Sequence, residues 1–153
     1  MKNVKITAVL IMMLSTQALS AQESEKFYYS KTLESTFDEV TDNIQSLLKE
    51  QGFSVITEID MDVKLKEKLK DIEMKPYKIL GVCNPSFAYE TLQIEENIGV
   101  FLPCKAIIKD LGEGKVEVVL VNPSALMGML DKEELVNIAD EVTEKFKVVL
   151  EKL

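Results

Sequence analysis

Two cysteines, Cys83 and Cys104, have the most chemistry open to them in this chain. They lie in the segments Val82-Cys83-Asn84-Pro85 and Leu102-Pro103-Cys104. Asn84 suits a helix N-cap and Pro85 the first helical position, so Cys83 is expected at the end of a strand, just ahead of a helix N-terminus. Free N–H groups and the helix dipole there favour an anion, including a thiolate. Pro103 cannot donate a ladder hydrogen bond and marks a bulge, an edge or a break in the strand that carries Cys104. Irregular backbone at element ends is where sites are commonly built. The candidate site is therefore Cys83, Asn84, Pro85, Pro103 and Cys104.

Three chemistries fit this pair. A Cys83–Cys104 disulfide needs α-carbons within about 7 Å and would stabilise the chain by about 3 kcal/mol in the loop-entropy picture. A functional thiol pair would be redox-active or would hold a soft metal. Two sulfurs are too few for zinc, which usually takes four ligands, but they suit Cu(I), with Met127 and Met129 as added thioethers. Against that, methionine more often fills gaps in a core. The third option is two inert thiols packed as small apolar side chains.

Composition removes other chemistries. The chain has no histidine, which excludes a histidine triad and a histidine zinc site. It has no phosphate loop, no Gly-x-Ser-x-Gly and no dinucleotide fingerprint, which argues against a familiar enzyme. Asp60 and Asp62, and Glu95 with Glu96, read as turn and surface residues. The formal charge is −8, and loss of Lys2 and Lys5 would take it to −10. Such a body repels phosphate backbones, so no nucleic-acid partner is expected. Lys64, Lys66, Lys68 and Lys70 read as a solvated helix face rather than a docking patch, because Glu67 and Asp71 are interleaved.

The N-terminus carries the expectation about compartment. Lys2 and Lys5 are followed by the apolar run Ile6–Leu14 and then by Ala18-Leu19-Ser20-Ala21. This is the pattern of a signal peptide, residues 1–21, cleaved after Ala21. The apolar run is far shorter than the roughly 20 residues of a spanning helix, so no membrane span is expected after cleavage. The mature chain is expected in the periplasm or outside the cell, where disulfides persist. Taking 21 residues from 153 leaves 132, enough for one core without staples.

The elements that must position the cysteines follow from periodicity. Residues 22–26 are polar and read as a flexible segment, and residues 27–153 as a single domain. Alternation at Phe27, Tyr29, Lys31 and Leu33 predicts a first strand. Thr36 to Glu39 is a capping box, and Phe37, Val40, Ile44, Leu47 and Leu48 predict a helix over 36–51. Phe53, Val55, Thr57 and Ile59 predict one face of a second strand. Leu65, Leu69 and Ile72 predict a short amphipathic helix over 62–72. Residues 77–82 read as a third strand. The helix opened by Asn84 has Phe87, Ala88, Thr91 and Leu92 as its buried side. Residues 99–109 read as a fourth strand interrupted at Pro103, Gly112-Glu113-Gly114 as a hairpin turn, and 115–121 as a fifth strand ended by Asn122-Pro123. A last helix is expected from Asp131, with a stripe of Leu135, Ile138, Val142, Phe146, Val149 and Leu153. Packing two long amphipathic helices on one face of a mostly antiparallel sheet of about five strands buries both stripes. The expected fold is an α+β two-layer sandwich.

Several segments resemble the domain-of-unknown-function 302 family. They are Gly52-Phe53, Glu58-Ile59-Asp60, Ile79-Leu80-Gly81-Val82-Cys83-Asn84-Pro85, Ile98-Gly99-Val100-Phe101-Leu102-Pro103-Cys104 and Val121-Asn122-Pro123, with the closing amphipathic helix. The likeness covers about residues 27–153, and the Cys-Asn-Pro and Leu-Pro-Cys segments point to an exported subgroup. The resemblance implies strand-helix-four strands-helix order, similar to the TATA-binding-protein-like class, and no known activity. DNA binding does not carry over, because function lives in sites and not folds. The family often has a histidine where this chain has Met61, so no role is built on that position.

The expected function is a non-enzymatic module that binds a small ligand or an envelope protein near the two cysteines. The alternative is a thiol-redox or Cu(I)-type protein using the same sulfurs; otherwise no cofactor is expected. An open sheet also leaves a face or an edge for a second copy of the chain, so a homodimer is a further expectation.

Overall fold

The computed structural model describes residues 26–130 and 132–153. The expected signal peptide, its cleavage point and most of the 22–26 segment lie outside the described residues, as does Asp131.

The first half follows its local signals closely. β1 (Tyr28–Glu34) leads to α1 (Phe37–Glu50), which starts at the expected capping box. The Thr36 hydroxyl accepts from Glu39 N–H at 3.3 Å, and the Glu39 carboxylate accepts from Thr36 N–H at 3.3 Å. α1 buries Val40, Ile44, Leu47 and Leu48, one stripe at helical spacing. β2 (Ser54–Asp60) departs from simple alternation. Its register shifts between Val55 and Thr57, which leaves Ile56 and Thr57 exposed. The expected single face of Phe53, Val55, Thr57 and Ile59 is therefore broken after Val55.

α2 (Met61–Lys68) is shorter than the expected 62–72 and buries no residue, with Leu69 exposed beyond its end. Its lysines are solvated: Lys64 pairs with Glu67 and Lys66 with Asp62. β3 (Tyr77–Cys83) runs into α3 (Pro85–Ile94), with Asn84 and Pro85 at the N-cap and first position as expected. Leu92 is exposed rather than buried, so Phe87, Ala88 and Thr91 make the inner side of α3.

The next segment differs most from expectation. Residues Glu96–Phe101 form a 3-10 helix, and the strand expected from Gly99 begins only at Cys104, as β4 (Cys104–Gly112). Pro103 is thus a strand break, preceded by a cis Leu102–Pro103 peptide. β4 turns into β5 (Lys115–Val121) through Glu113 and Gly114, both at positive φ (56° and 72°), the mirror-image turn whose twist matches a two-residue hairpin.

Asn122-Pro123 does more than end β5. It caps a short helix, α4 (Pro123–Met127), which the sequence reading did not anticipate. The final helix, α5 (Glu133–Lys152), begins at Lys132 with no side-chain cap, so the start expected at Asp131 moves inward. Among the described residues, no helix is long and apolar enough to cross a membrane.

The five strands form one antiparallel sheet in the order β1-β5-β4-β3-β2. α1 carries the chain from one edge strand to the other. One sheet face carries the fully buried row Leu80, Ala106 and Leu120, which pair directly across strands, together with Val82, Ile108 and Val118. The stripes of α1 and α5 pack on it, with Phe146 of α5 tilted against Phe53 at 4.9 Å between ring centroids. The result is the expected α+β two-layer sandwich.

Candidate functional site

A second apolar cluster lies beside the main one, made of Ile98, Met127, Leu135 and Ala139 with Leu102 and Leu126 packed on it. It draws on the 3-10 helix, α4 and the first turns of α5. Between this cluster and the main core is a cavity of about 310 Å³. Its walls come from Phe53, Val82 and Val121 at the end of the sheet, Phe87 of α3, and Ile98 and Leu135 of the second cluster. This is the size and character of a small-molecule site, mainly apolar with a few polar groups.

Cys83, Asn84 and Cys104 border this cavity, whereas Pro85 and Pro103 are not part of its lining. The antiparallel register pairs Val82 directly with Cys104, so Cys83 lies one step out of register on the neighbouring strand. Successive strand residues point to opposite faces, so an offset of one is not the register that aims two side chains at each other. Both cysteines are free thiols. Burial pushes the Cys83 thiol up from its ordinary pKa. Burial, with a smaller contribution from Cys83, raises Cys104 to about 11, against a weaker downward pull from the Lys105 charge. Burial therefore acts against the thiolate expected at Cys83, and both side chains are protonated near neutral pH.

Asn84 is a structural joint. Its Oδ1 accepts from Ser86 N–H at 3.0 Å and from Phe87 N–H at 3.3 Å, while its Nδ2 donates to the Gly52 carbonyl at 3.0 Å. One side chain thus caps α3 and ties it to the α1–β2 junction. Asn84→Ala is expected to lower stability by about 1–2 kcal/mol, read as the shift in a urea unfolding midpoint at unchanged slope.

Pro103 lies against Gly81 on β3. A Cβ at Gly81 would stand 2.7 Å from Pro103 Cγ and would also collide with the Thr57 hydroxyl. Glycine at 81 is what lets the Pro103 ring approach the sheet, which sets the path of the chain into Cys104.

The remaining candidates separate. Met127 is buried and borders the cavity, while Met129 is 69% exposed. Among the described residues, no group of three or more Cys, Asp or Glu side chains is placed to hold a metal. Asp60 pairs with Lys78, Asp62 with Lys66, and Glu95 with Lys132 at 2.7 Å, as surface ion pairs. Sequence reading missed Phe53, Phe87, Ile98 and Lys105 as cavity residues. The nearest signal for Lys105 was its position beside Cys104.

The fold and the cavity define a small α+β sandwich with an apolar recess at one end of its sheet. The chain belongs to the family described as Domain of unknown function DUF302, whose model matches residues 29–153. It is similar to the uncharacterized conserved protein DUF302 from Bacillus stearothermophilus, whose crystal structure superposes with a TM-score of 0.75 at 30% identity, over 82% of this chain and 96% of that one. No curated protein matches the chain.

Proposed function

We propose that this protein is an exported, non-enzymatic binding module that holds a small, mainly apolar molecule in the cavity beside Cys83 and Cys104. The observation that carries this reading is the cavity itself, about 310 Å³ of space walled by side chains of both apolar clusters. Apolar area removed from water is worth roughly 25 cal/mol per Å², so such a recess favours an apolar occupant over a polar one. The two thiols serve as wall. Their raised pKa values favour this role over thiol-redox or Cu(I) chemistry, both of which need a thiolate. The apolar leader of residues 1–21 supports action outside the cytoplasm.

The test is titration of the protein with 1-octanol, followed by amide NMR. Amides of Phe53, Phe87, Ile98 and Leu135 are expected to shift together. Ala88→Phe, on the partly exposed inner side of α3, should fill the recess and weaken binding at least tenfold with little change in Tm. Thr91→Leu serves as a second, milder filling variant. A titration that leaves the cavity amides unmoved would overturn the reading.

A further inference from the structure

The stripes of α1 and α5 cover one face of the sheet, and the opposite face is not simply polar. An antiparallel sheet solvated on one side alternates apolar and polar residues, whereas strands covered on both sides read as apolar runs. The centre of this sheet reads Ile79-Leu80 in β3, Ala106-Ile107-Ile108 in β4 and Val118-Val119-Leu120 in β5. Leu80, Ala106, Ile108, Val118 and Leu120 are fully buried in the main core, on the helix side. Ile79, Ile107 and Val119 alternate with them and so lie on the opposite face. The register pairs Ile59 with Ile79, Ile79 with Ile107, and Ile107 with Val119, an unbroken apolar row across four strands. None of these four belongs to either apolar cluster or packs against one.

The charges beside this row differ from those of the chain as a whole. By the same alternation, the flanking positions carry Lys105 on one side of the row and Lys109 with Glu117 on the other. Lys109 and Glu117 are ion-paired at 2.7 Å, while Lys105, among the described residues, is in no ion pair. Two lysines and one glutamate make this face slightly basic on a chain of net charge −8. Two copies can therefore meet here without the acid–acid repulsion of their other surfaces. Seven-residue strands at about 3.3 Å per residue, five of them about 4.8 Å apart, give a face of roughly 23 Å by 24 Å. Two such faces, stacked, remove about 1,100 Å² from water, above the roughly 1,000 Å² that a specific interface needs.

We propose that the Ile59–Ile79–Ile107–Val119 face is covered by the same face of a second copy, in a two-fold symmetric dimer of stacked sheets. A two-fold axis along the row lays the row of one copy on that of the other, with the sheets about 10 Å apart. It also turns the Lys105 side of each copy onto the Glu117 side of the other, where a cation meets a carboxylate at the rim of an apolar strip. The cavity lies on the α5 side of the sheet, so this inference is independent of the cavity's occupant.

The test is sedimentation velocity of the purified protein from about 1 to about 100 μM, where an interface of this size can dissociate. The wild type is expected to sediment as a dimer at the upper concentration. Ile107→Glu, at the centre of the row, should raise the dimer Kd at least about tenfold by burying a carboxylate in each half of the interface. Ile59→Glu, at the 39% exposed end of the row, should weaken the dimer less, and it keeps the test open if Ile107→Glu lowers Tm. Ile56→Glu, 57% exposed at the β2 bulge and outside the row, should dimerise as the wild type does, which separates face stacking from edge pairing. A wild type that stays monomeric at the upper concentration sinks the proposal. So does a dimer that neither Ile107→Glu nor Ile59→Glu weakens, or one that Ile56→Glu alone disrupts.

Discussion

Phe146→Ala is expected to lower the free energy of unfolding by about 3–5 kcal/mol, the usual range for truncating a buried phenylalanine. Phe146 is fully buried near the middle of α5 and meets Phe53 at 4.9 Å. It holds the long helix onto the sheet at the point where the main core borders the cavity. The loss has two sources: the transfer free energy of the ring, and the space left behind, which the surrounding rigid strands fill only in part. Against a total stability of about 5–15 kcal/mol for a domain, a loss of this size removes a large fraction of the whole. Urea unfolding followed by circular dichroism measures it. Phe146→Leu, which keeps most of the volume, should cost distinctly less. Equal losses in the two variants would mean that the site is not close-packed.

Asn122→Ala is expected to cost about 2–4 kcal/mol, more than an ordinary cap, because Asn122 is wholly buried and serves three partners. Its Nδ2 donates to the Lys26 carbonyl at 2.9 Å. Its Oδ1 accepts from Ala125 N–H at 3.3 Å and from the Thr143 hydroxyl at 3.4 Å. Alanine removes all three bonds at a position where Asn122 itself and Thr143 are buried, and loss of a partner from a largely buried network is costly. The side chain links the start of β1, the cap of α4 and the middle of α5. The same variant should therefore speed hydrogen exchange at Ala125 and across α4 ahead of global unfolding. Asn122→Ser, which restores an acceptor for the α4 cap, should recover part of the loss. If Asn122→Ala unfolds at the wild-type midpoint, the network is not contributing as its geometry requires.

Asn84 and Asn122 show how far local signals reach. Both precede a proline, both end a strand and both cap a helix. The first helix was legible because Phe87, Ala88 and Thr91 follow at helical spacing. The second was not, because five residues are too few to display a period. The 3-10 helix was misread for the opposite reason. Val100-Phe101-Leu102 is a short apolar run that reads as part of a strand, yet Ile98 is drawn into the second cluster and the sheet begins only after Pro103. The bulge in β2 was likewise hidden, because it changes pairing without changing composition.

The sequence by itself determined the helices α1, α3 and α5, the five strands and the tight turn at Glu113-Gly114. Each depends on neighbours within a few residues, through caps, turn geometry and the spacing of apolar side chains. It also carried enough of the family's pattern for the family to match over residues 29–153. Tertiary structure alone decided that Cys83 and Cys104 stand one step out of register and that both thiols are desolvated. It alone built a recess from the sheet end, α3, the 3-10 helix, α4 and α5. Strand register and cavity shape depend on contacts between residues far apart in the chain, and no local pattern records them.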